Sequence, residues 1–279
     1  MAHNKNRKFR FFISCVLSFL LSLFFTVGTI LIALKFGFLN ETSVLDGMAE
    51  KDYYKSAEKE FYQAAKDFTI PVGLPVDVVD GIVSSETVYS DIQNYVTNAV
   101  NGKEYVFNTD DLESRLTEKV YNYFRNEGLE MTEEQITTVP EYTGLIAEIY
   151  VKTMKVNYVS LLGKVNASYG NLIWIGAAIC LVISIVIIGM LLKMYHWKHR
   201  AMRFVVYSAI TTVLMVASPA VIVGILEGFM KPSVSPEHLY YALVNYCANG
   251  LKIFVYLSIG WVAVVAALLL AIRYLKKND

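Results

Sequence analysis

The segment 38–168 of this 279-residue chain contains no cysteine, histidine or tryptophan. Nucleophilic catalysis by Ser-His-Asp or Cys-His arrangements needs a histidine, and zinc sites most often use histidine and cysteine. The composition therefore excludes these chemistries for the segment. It also predicts folding without a disulfide, which suits a bacterial surface domain better than a small animal ectodomain.

Four runs of the chain contain no Asp, Glu, Lys, Arg or His: 11–34, 172–192, 204–226 and 253–272. About 20 helical residues cross a hydrocarbon core of roughly 30 Å, and a lipid-embedded backbone must satisfy its own hydrogen bonds. Each run is therefore predicted to be a transmembrane helix. Because ion and proton pathways usually need charged residues in the membrane, a pump or secondary transporter acting alone is not expected.

The first run follows the basic residues Lys5, Arg7, Lys8 and Arg10, as the apolar part of a signal peptide would. Signal peptides have apolar regions of about 7–15 residues and a small-residue cleavage site. The run over 11–34 is longer, and no such site follows it. We therefore expect an uncleaved membrane anchor.

The lysine and arginine residues in the short segments that flank the spans predict the orientation of the chain in the membrane. The N-terminal tail, the 193–203 connection and the C-terminal tail are all basic, whereas 35–171 has 12 basic and 22 acidic residues. Because basic flanks stay in the cytoplasm, both termini are predicted to be cytoplasmic. The membrane is expected to be the plasma membrane of a bacterium. The predicted parts are a basic tail (1–10), a first span (11–37), an extracytoplasmic acidic domain (38–168), a second span (169–194), a cytoplasmic loop (195–203), a third span (204–227), an outer loop (228–249), a fourth span (250–273) and a tail (274–279).

Apolar residues at steps of three and four predict helices throughout the acidic domain. One long helix is expected over 42–69 and a second after a cap at Ser84 or Ser85. A third helix is expected to begin at 109–111, and a fourth helix at a capping box in 132–135. Pro140 is expected to interrupt or restart the fourth helix. Only 103–107 alternates like a strand, and it is too short to build a sheet. The predicted fold is all-α, with four transmembrane helices and one helical domain between the first two, and with Phe61 and Phe124 in the core of that domain.

No catalytic, cofactor-binding or metal-binding residue is predicted, and no nucleic-acid partner. The acidic pairs of the outer domain are interpreted as helix caps or solvated faces, and no calcium loop or phosphate-binding glycine loop occurs. His196 and His199 lie one helical turn apart among basic residues. They are interpreted as part of a basic anchor at the lipid headgroups rather than as a metal site.

Small residues recur every four positions in three of the apolar runs. Such faces let helices approach closely in a membrane, either inside one bundle or against a partner. The candidates for helix packing are Ser14, Ser18, Ser22, Gly224, Gly228, Ala263, Ala267 and Ala271.

The order of one span, a large outer domain and three further spans, with both ends inside, resembles the layout of FtsX/MacB-type permease subunits. The similarity is one of order and charge, and none of that family's sequence motifs is present. It implies a subunit of a transport or mechanotransmission complex that works with a separate ATPase.

The residues themselves favour a different function. We expect a non-enzymatic integral membrane protein whose outer helical domain binds or senses a ligand or partner at the cell surface. Its partners are then the lipid bilayer and another protein or a second copy of the chain.

Overall fold

The computed structural model describes residues 2–49, 53–226 and 237–278. These residues form α-helices, one short 3-10 turn and connecting segments, without any strand, so the all-α prediction is confirmed and 103–107 is an extended connection. The elements in chain order are α1 (Ala2–Gly37), α2 (Glu41–Ala49), α3 (Tyr53–Val72), the 3-10 turn (Val76–Val79), α4 (Ser85–Val100), α5 (Asp110–Asn126), α6 (Glu133–Met154), α7 (Asn157–Met194), α8 (Lys198–Leu226) and α9 (Glu237–Asn278).

Four of these helices contain stretches that are long and apolar enough to cross a membrane. All four predicted spans are therefore found as helices, which is the architecture of a multi-pass membrane protein. The stretches are Phe9–Gly37 in α1, Asn157–Met194 in α7, Lys198–Gly224 in α8 and His238–Lys277 in α9.

The chain divides into two compact units. We call the first the membrane unit; it comprises Met1–Ser43, Ala167–Pro232 and Tyr246–Asp279. We call the second the polar unit; it comprises Val44–Asn166 and Ser233–Asn245.

Two helices of the polar unit begin at residues whose side chains cap them. The Ser84 hydroxyl accepts a hydrogen bond from the Thr87 amide at 3.1 Å and so caps α4. Thr132 and Gln135 form the predicted capping box of α6, with reciprocal backbone-to-side-chain bonds of 3.2 and 2.9 Å. These bonds satisfy backbone amides that have no partner inside the helix. Both predicted helix starts are therefore confirmed.

One prediction about the helices differs from the structure. Pro140 neither interrupts nor restarts α6, which is continuous from Glu133 to Met154. A proline costs one intrahelical hydrogen bond, and packing of the buried residues on both sides of it offsets this cost. The helix expected over 42–69 corresponds to α2 and α3, and residues 50–52 lie outside the described residues.

The core of the polar unit consists of one apolar face from each of its helices. Phe61 of α3 and Ile146 of α6 are completely buried, as are Ile92 of α4 and Leu116 of α5. Phe61 packs edge-on against the ring of Tyr150 at 5.2 Å between centroids. The predicted core position of Phe61 is therefore confirmed.

The predicted core position of Phe124 is wrong, because this side chain is only half-buried near the end of α5. The buried stripe of α5 consists of Leu112, Leu116 and Val120. Phe124 continues that stripe by spacing, but the helix ends at Asn126, where the core no longer covers its face.

In the membrane unit, α1 packs against helices from later parts of the chain. Ser18 of α1 donates to the Phe204 carbonyl of α8 at 2.9 Å, and its hydroxyl lies 2.9 Å from that of Ser208. Towards the other end of α1, the Trp261 indole of α9 donates to the Thr29 hydroxyl at 2.9 Å. Such bonds between helices replace those that water cannot provide in a lipid environment.

Candidate functional sites

The polar unit has a carboxylate that accepts two tyrosine hydroxyls. Tyr150 of α6 donates to one oxygen of Asp91 at 2.6 Å, and Tyr105 donates to the other at 3.0 Å. The ring of Phe107 packs edge-on against both tyrosines. The cluster thereby joins α4, the 103–107 connection and α6.

Burial is the main cause that raises the pKa of both tyrosines, and the hydrogen bond to Asp91 adds to it. The pKa of Tyr105 rises to about 12, and that of Tyr150 rises further above its usual range. Both hydroxyls therefore stay protonated at neutral pH and act as hydrogen-bond donors. The geometry makes this cluster a structural link between three segments.

A depression lies on the surface of the polar unit at the C-terminal end of α5. Its volume is about 480 Å³. Tyr121 and Leu129 line it and are exposed, and half-buried Phe124 and Met131 line it with them. Glu118, Asn122 and Arg125 complete the lining, which thus combines apolar with charged and polar side chains.

The membrane unit has an open groove along α1 and α8, with a volume of about 1130 Å³. Arg10, Arg200 and Arg203 line one end, together with Trp197 of the connection between α7 and α8. Further along the two spans the lining is formed by Phe19, Leu23, Val27 and Met215. The groove thus has a basic end, and its remainder is lined by apolar side chains interspersed with hydroxyl groups.

Several contacts hold the basic end of the groove in place. The Arg10 guanidinium donates to the Met194 carbonyl at 3.4 Å and lies 5.8 Å from the centre of the Tyr195 ring. The Tyr195 hydroxyl lies 3.0 Å from that of Ser14, and its ring stacks on Phe204. The connection between α7 and α8 is therefore fastened to α1.

The three serines predicted as packing residues lie in or beside this contact. Ser14 and Ser22 are buried, and Ser18 is half-buried between α1 and α8. Ser14 and Ser22 each donate to a carbonyl of α1, at Arg10 and Phe19 respectively, while Ser18 bonds across to α8. The structure therefore brings this stripe against other helices.

The other predicted packing residues are placed differently. An added Cβ at Gly224 would meet no atom within 4 Å, and Gly228 lies outside the described residues. In α9, Ala263 and Ala267 are exposed and Ala271 is half-buried. The stripe in α9 is thus left open to lipid or to another protein, while Gly37 and Gly250 make a close contact between the backbones of α1 and α9.

His196 and His199 flank Trp197 in ring contacts of 5.8 and 6.0 Å. His196 lines the basic end of the groove. Among the residues that the structure describes, no three His, Cys, Asp or Glu side chains are grouped so that they could hold a metal ion.

Two of these sites were not predicted from the sequence. Asp91, Tyr105 and Tyr150 are far apart along the chain, and each has the spacing of an ordinary helix or loop residue. Arg200 and Arg203 did carry a signal, because residues three apart share a helix face. The sequence did not show that Arg10 lies on the opposite wall of the groove.

The chain was also compared with known proteins. No protein-family model matches it, and neither the curated proteins nor the solved structures contain a significant match.

Proposed function

We propose that the protein is a non-enzymatic protein of the plasma membrane whose polar unit lies outside the cell and binds a protein partner there. The observation that supports this most directly is the depression at the end of α5. Exposed Tyr121 and Leu129 lie there beside half-buried Phe124 and Met131, on a unit that carries more acidic than basic residues. Clustered apolar side chains with a polar edge are typical of protein-binding surfaces.

The composition of the depression supports a protein as the ligand. Tyrosine, phenylalanine, methionine and arginine are enriched at interfaces, and the lining contains one or more of each. A volume of about 480 Å³ accepts one or two large side chains of a partner. The neighbouring Arg125 and Glu118 can then pair with polar groups of that partner at the edge.

Photo-crosslinking in intact cells tests this proposal. A photoreactive amino acid at Tyr121 is expected to give a covalent product larger than the protein alone. The same amino acid at Tyr89 is the matched control, because Tyr89 is an exposed tyrosine on α4 that does not line the depression. No product from position 121, or the same product from position 89, would refute binding at the depression.

The second candidate is a transmembrane subunit of a transport or mechanotransmission complex with a separate ATPase. The order of one span, a helical unit and three further spans favours it. Purification of the full-length protein in a mild detergent tests this candidate. A nucleotide-hydrolysing protein that co-purifies with it in a fixed ratio would support the candidate, and purification without one would contradict it.

A further inference from the structure

We propose that the groove between α1 and α8 binds a phospholipid with an anionic headgroup, which Arg10, Arg200 and Arg203 contact at its basic end. The first argument is the sign of the charge. The helices that form the groove and its end, α1, α7 and α8, contain no acidic residue. An anion in the groove therefore meets three guanidinium groups and no carboxylate from these helices.

The second argument is that the basic end is built from both walls. Arg200 and Arg203 lie one turn apart near the start of α8, and their exposed side chains form no ion pair with any residue in the described ranges. Arg10 stands on α1 and is held by the Met194 carbonyl and the Tyr195 ring. Guanidinium groups bind phosphate through paired hydrogen bonds, and basic pockets between membrane helices bind anionic lipid headgroups.

The third argument concerns the wall beyond the arginines. Three of its hydroxyl groups donate to backbone carbonyls: Ser18 to Phe204, Ser22 to Phe19 and Thr211 to Tyr207. These hydroxyls therefore offer no free donor to a ligand. Together with the exposed side chains of Leu23 and Met215, they give a surface on which an acyl chain can lie.

The shape favours a lipid over a free anion. The groove, at about 1130 Å³, is larger than the roughly 300–1,000 Å³ of most small-molecule pockets. A phosphate ion would contact only the arginines, whereas a phospholipid fills the basic end with its headgroup and the apolar part with a chain. The groove also opens along two membrane spans, from which a lipid can enter sideways.

Trp197 provides a reporter at the site. It lines the groove, and it becomes the single tryptophan of the full chain after the substitutions Trp174→Phe and Trp261→Phe. This variant is reconstituted in phosphatidylcholine bilayers that contain a minor fraction of either brominated phosphatidylglycerol or brominated phosphatidylcholine. Bromine quenches tryptophan fluorescence on contact, so the two quenching curves give the relative binding constant of the two lipids.

We expect phosphatidylglycerol to bind about fivefold or more tightly than phosphatidylcholine, since one basic residue near a membrane surface contributes roughly that factor. Arg200→Gln with Arg203→Gln should lower the ratio severalfold, towards the contribution of Arg10 alone. Lys193→Gln with Lys198→Gln removes the same charge beside the groove without touching its lining, and should leave the ratio within about twofold. Equal losses in the two variants, or a ratio of one in the parent protein, would overturn the proposal.

Two further outcomes identify a different occupant. If sodium phosphate removes the preference at an ionic strength at which sodium chloride does not, the site takes a free anion and the lipid proposal fails. If neither brominated lipid quenches Trp197, the groove is closed by another helix, and the proposal fails as well.

A second pair of variants tests the groove without changing its charge. Cys15 lines the groove, whereas its neighbour Val16 is exposed and does not. Cys15→Phe is expected to reduce the phosphatidylglycerol that co-purifies with the full-length protein, measured by mass spectrometry, at least twofold more than Val16→Phe does. Equal retention in the two variants, both eluting as monodisperse protein, would show that lipid does not occupy the groove.

Discussion

The backbones of Gly37 and Gly250 approach so closely that a Cβ atom on Gly37 would lie 2.8 Å from the Gly250 carbonyl oxygen. Gly37 ends α1 and Gly250 belongs to α9, so the contact joins the first and the last membrane helix. The Tyr246 hydroxyl reinforces it by donating to the Phe38 carbonyl at 2.6 Å. A backbone atom cannot move aside as the end of a flexible side chain can.

Gly37→Ala should therefore destabilise the membrane unit by about 1–3 kcal/mol, the usual cost of forcing an extra carbon into a packed site. Thermal unfolding of the full-length protein in detergent measures the effect. Gly260→Ala is the control, because a Cβ there meets no atom within 4 Å, and its melting temperature should be unchanged or slightly raised. Equal melting temperatures for the two variants would contradict the close contact.

The two phenylalanines of the polar unit should differ in their contribution to its stability. Phe61→Ala removes a completely buried ring and should lower the free energy of unfolding by about 3–5 kcal/mol. Phe124→Ala removes a half-buried ring and should cost clearly less. Chemical denaturation of a soluble 44–166 fragment, followed by circular dichroism, measures both. A larger loss for Phe124→Ala would mean that the core extends to the end of α5.

High pH should unfold the polar unit, because several of its tyrosines have raised pKa values. Burial raises the pKa of Tyr105 and of Tyr54 to about 12, while the same groups in the unfolded chain ionise near their ordinary value of about 10. Their contribution to stability is complete below about pH 10 and is lost as the pH rises from there through about 12.

Denaturation midpoints of the 44–166 fragment at increasing pH, combined with the absorbance of tyrosinate, test this expectation. Tyr105→Phe should reduce the slope of stability against pH in this window. A midpoint that stays constant up to about pH 12 would contradict the burial of these hydroxyls.

The orientation of the chain can be tested by labelling single cysteines in a variant in which Cys15, Cys180 and Cys247 are replaced by serine or alanine. A cysteine at Asn126 should react with a membrane-impermeant maleimide in intact cells. Cysteines at Asn6 or Asn278 should react only after the membrane is opened, because basic flanks stay in the cytoplasm. Labelling of Asn6→Cys in intact cells would refute this orientation and the proposed function with it.

The sequence by itself determined the elements of this protein. Uncharged runs of about 20 residues can only be helices in lipid, so the four spans follow from composition. The helix starts at Ser84 and Thr132 follow from local hydrogen bonding between residues three apart. These signals act over a few neighbouring residues, and the rest of the fold does not alter them.

Only the tertiary structure decided which faces meet. The serine stripe of α1 is packed while Ala263 and Ala267 of the alanine stripe of α9 are exposed, although both stripes have the same spacing. Pro140 lies within a continuous helix, because packing on both sides of a proline can offset one lost hydrogen bond. The Asp91 cluster and the groove unite residues from segments far apart in the chain. Their positions depend on how whole helices pack, and local spacing contains no information about that.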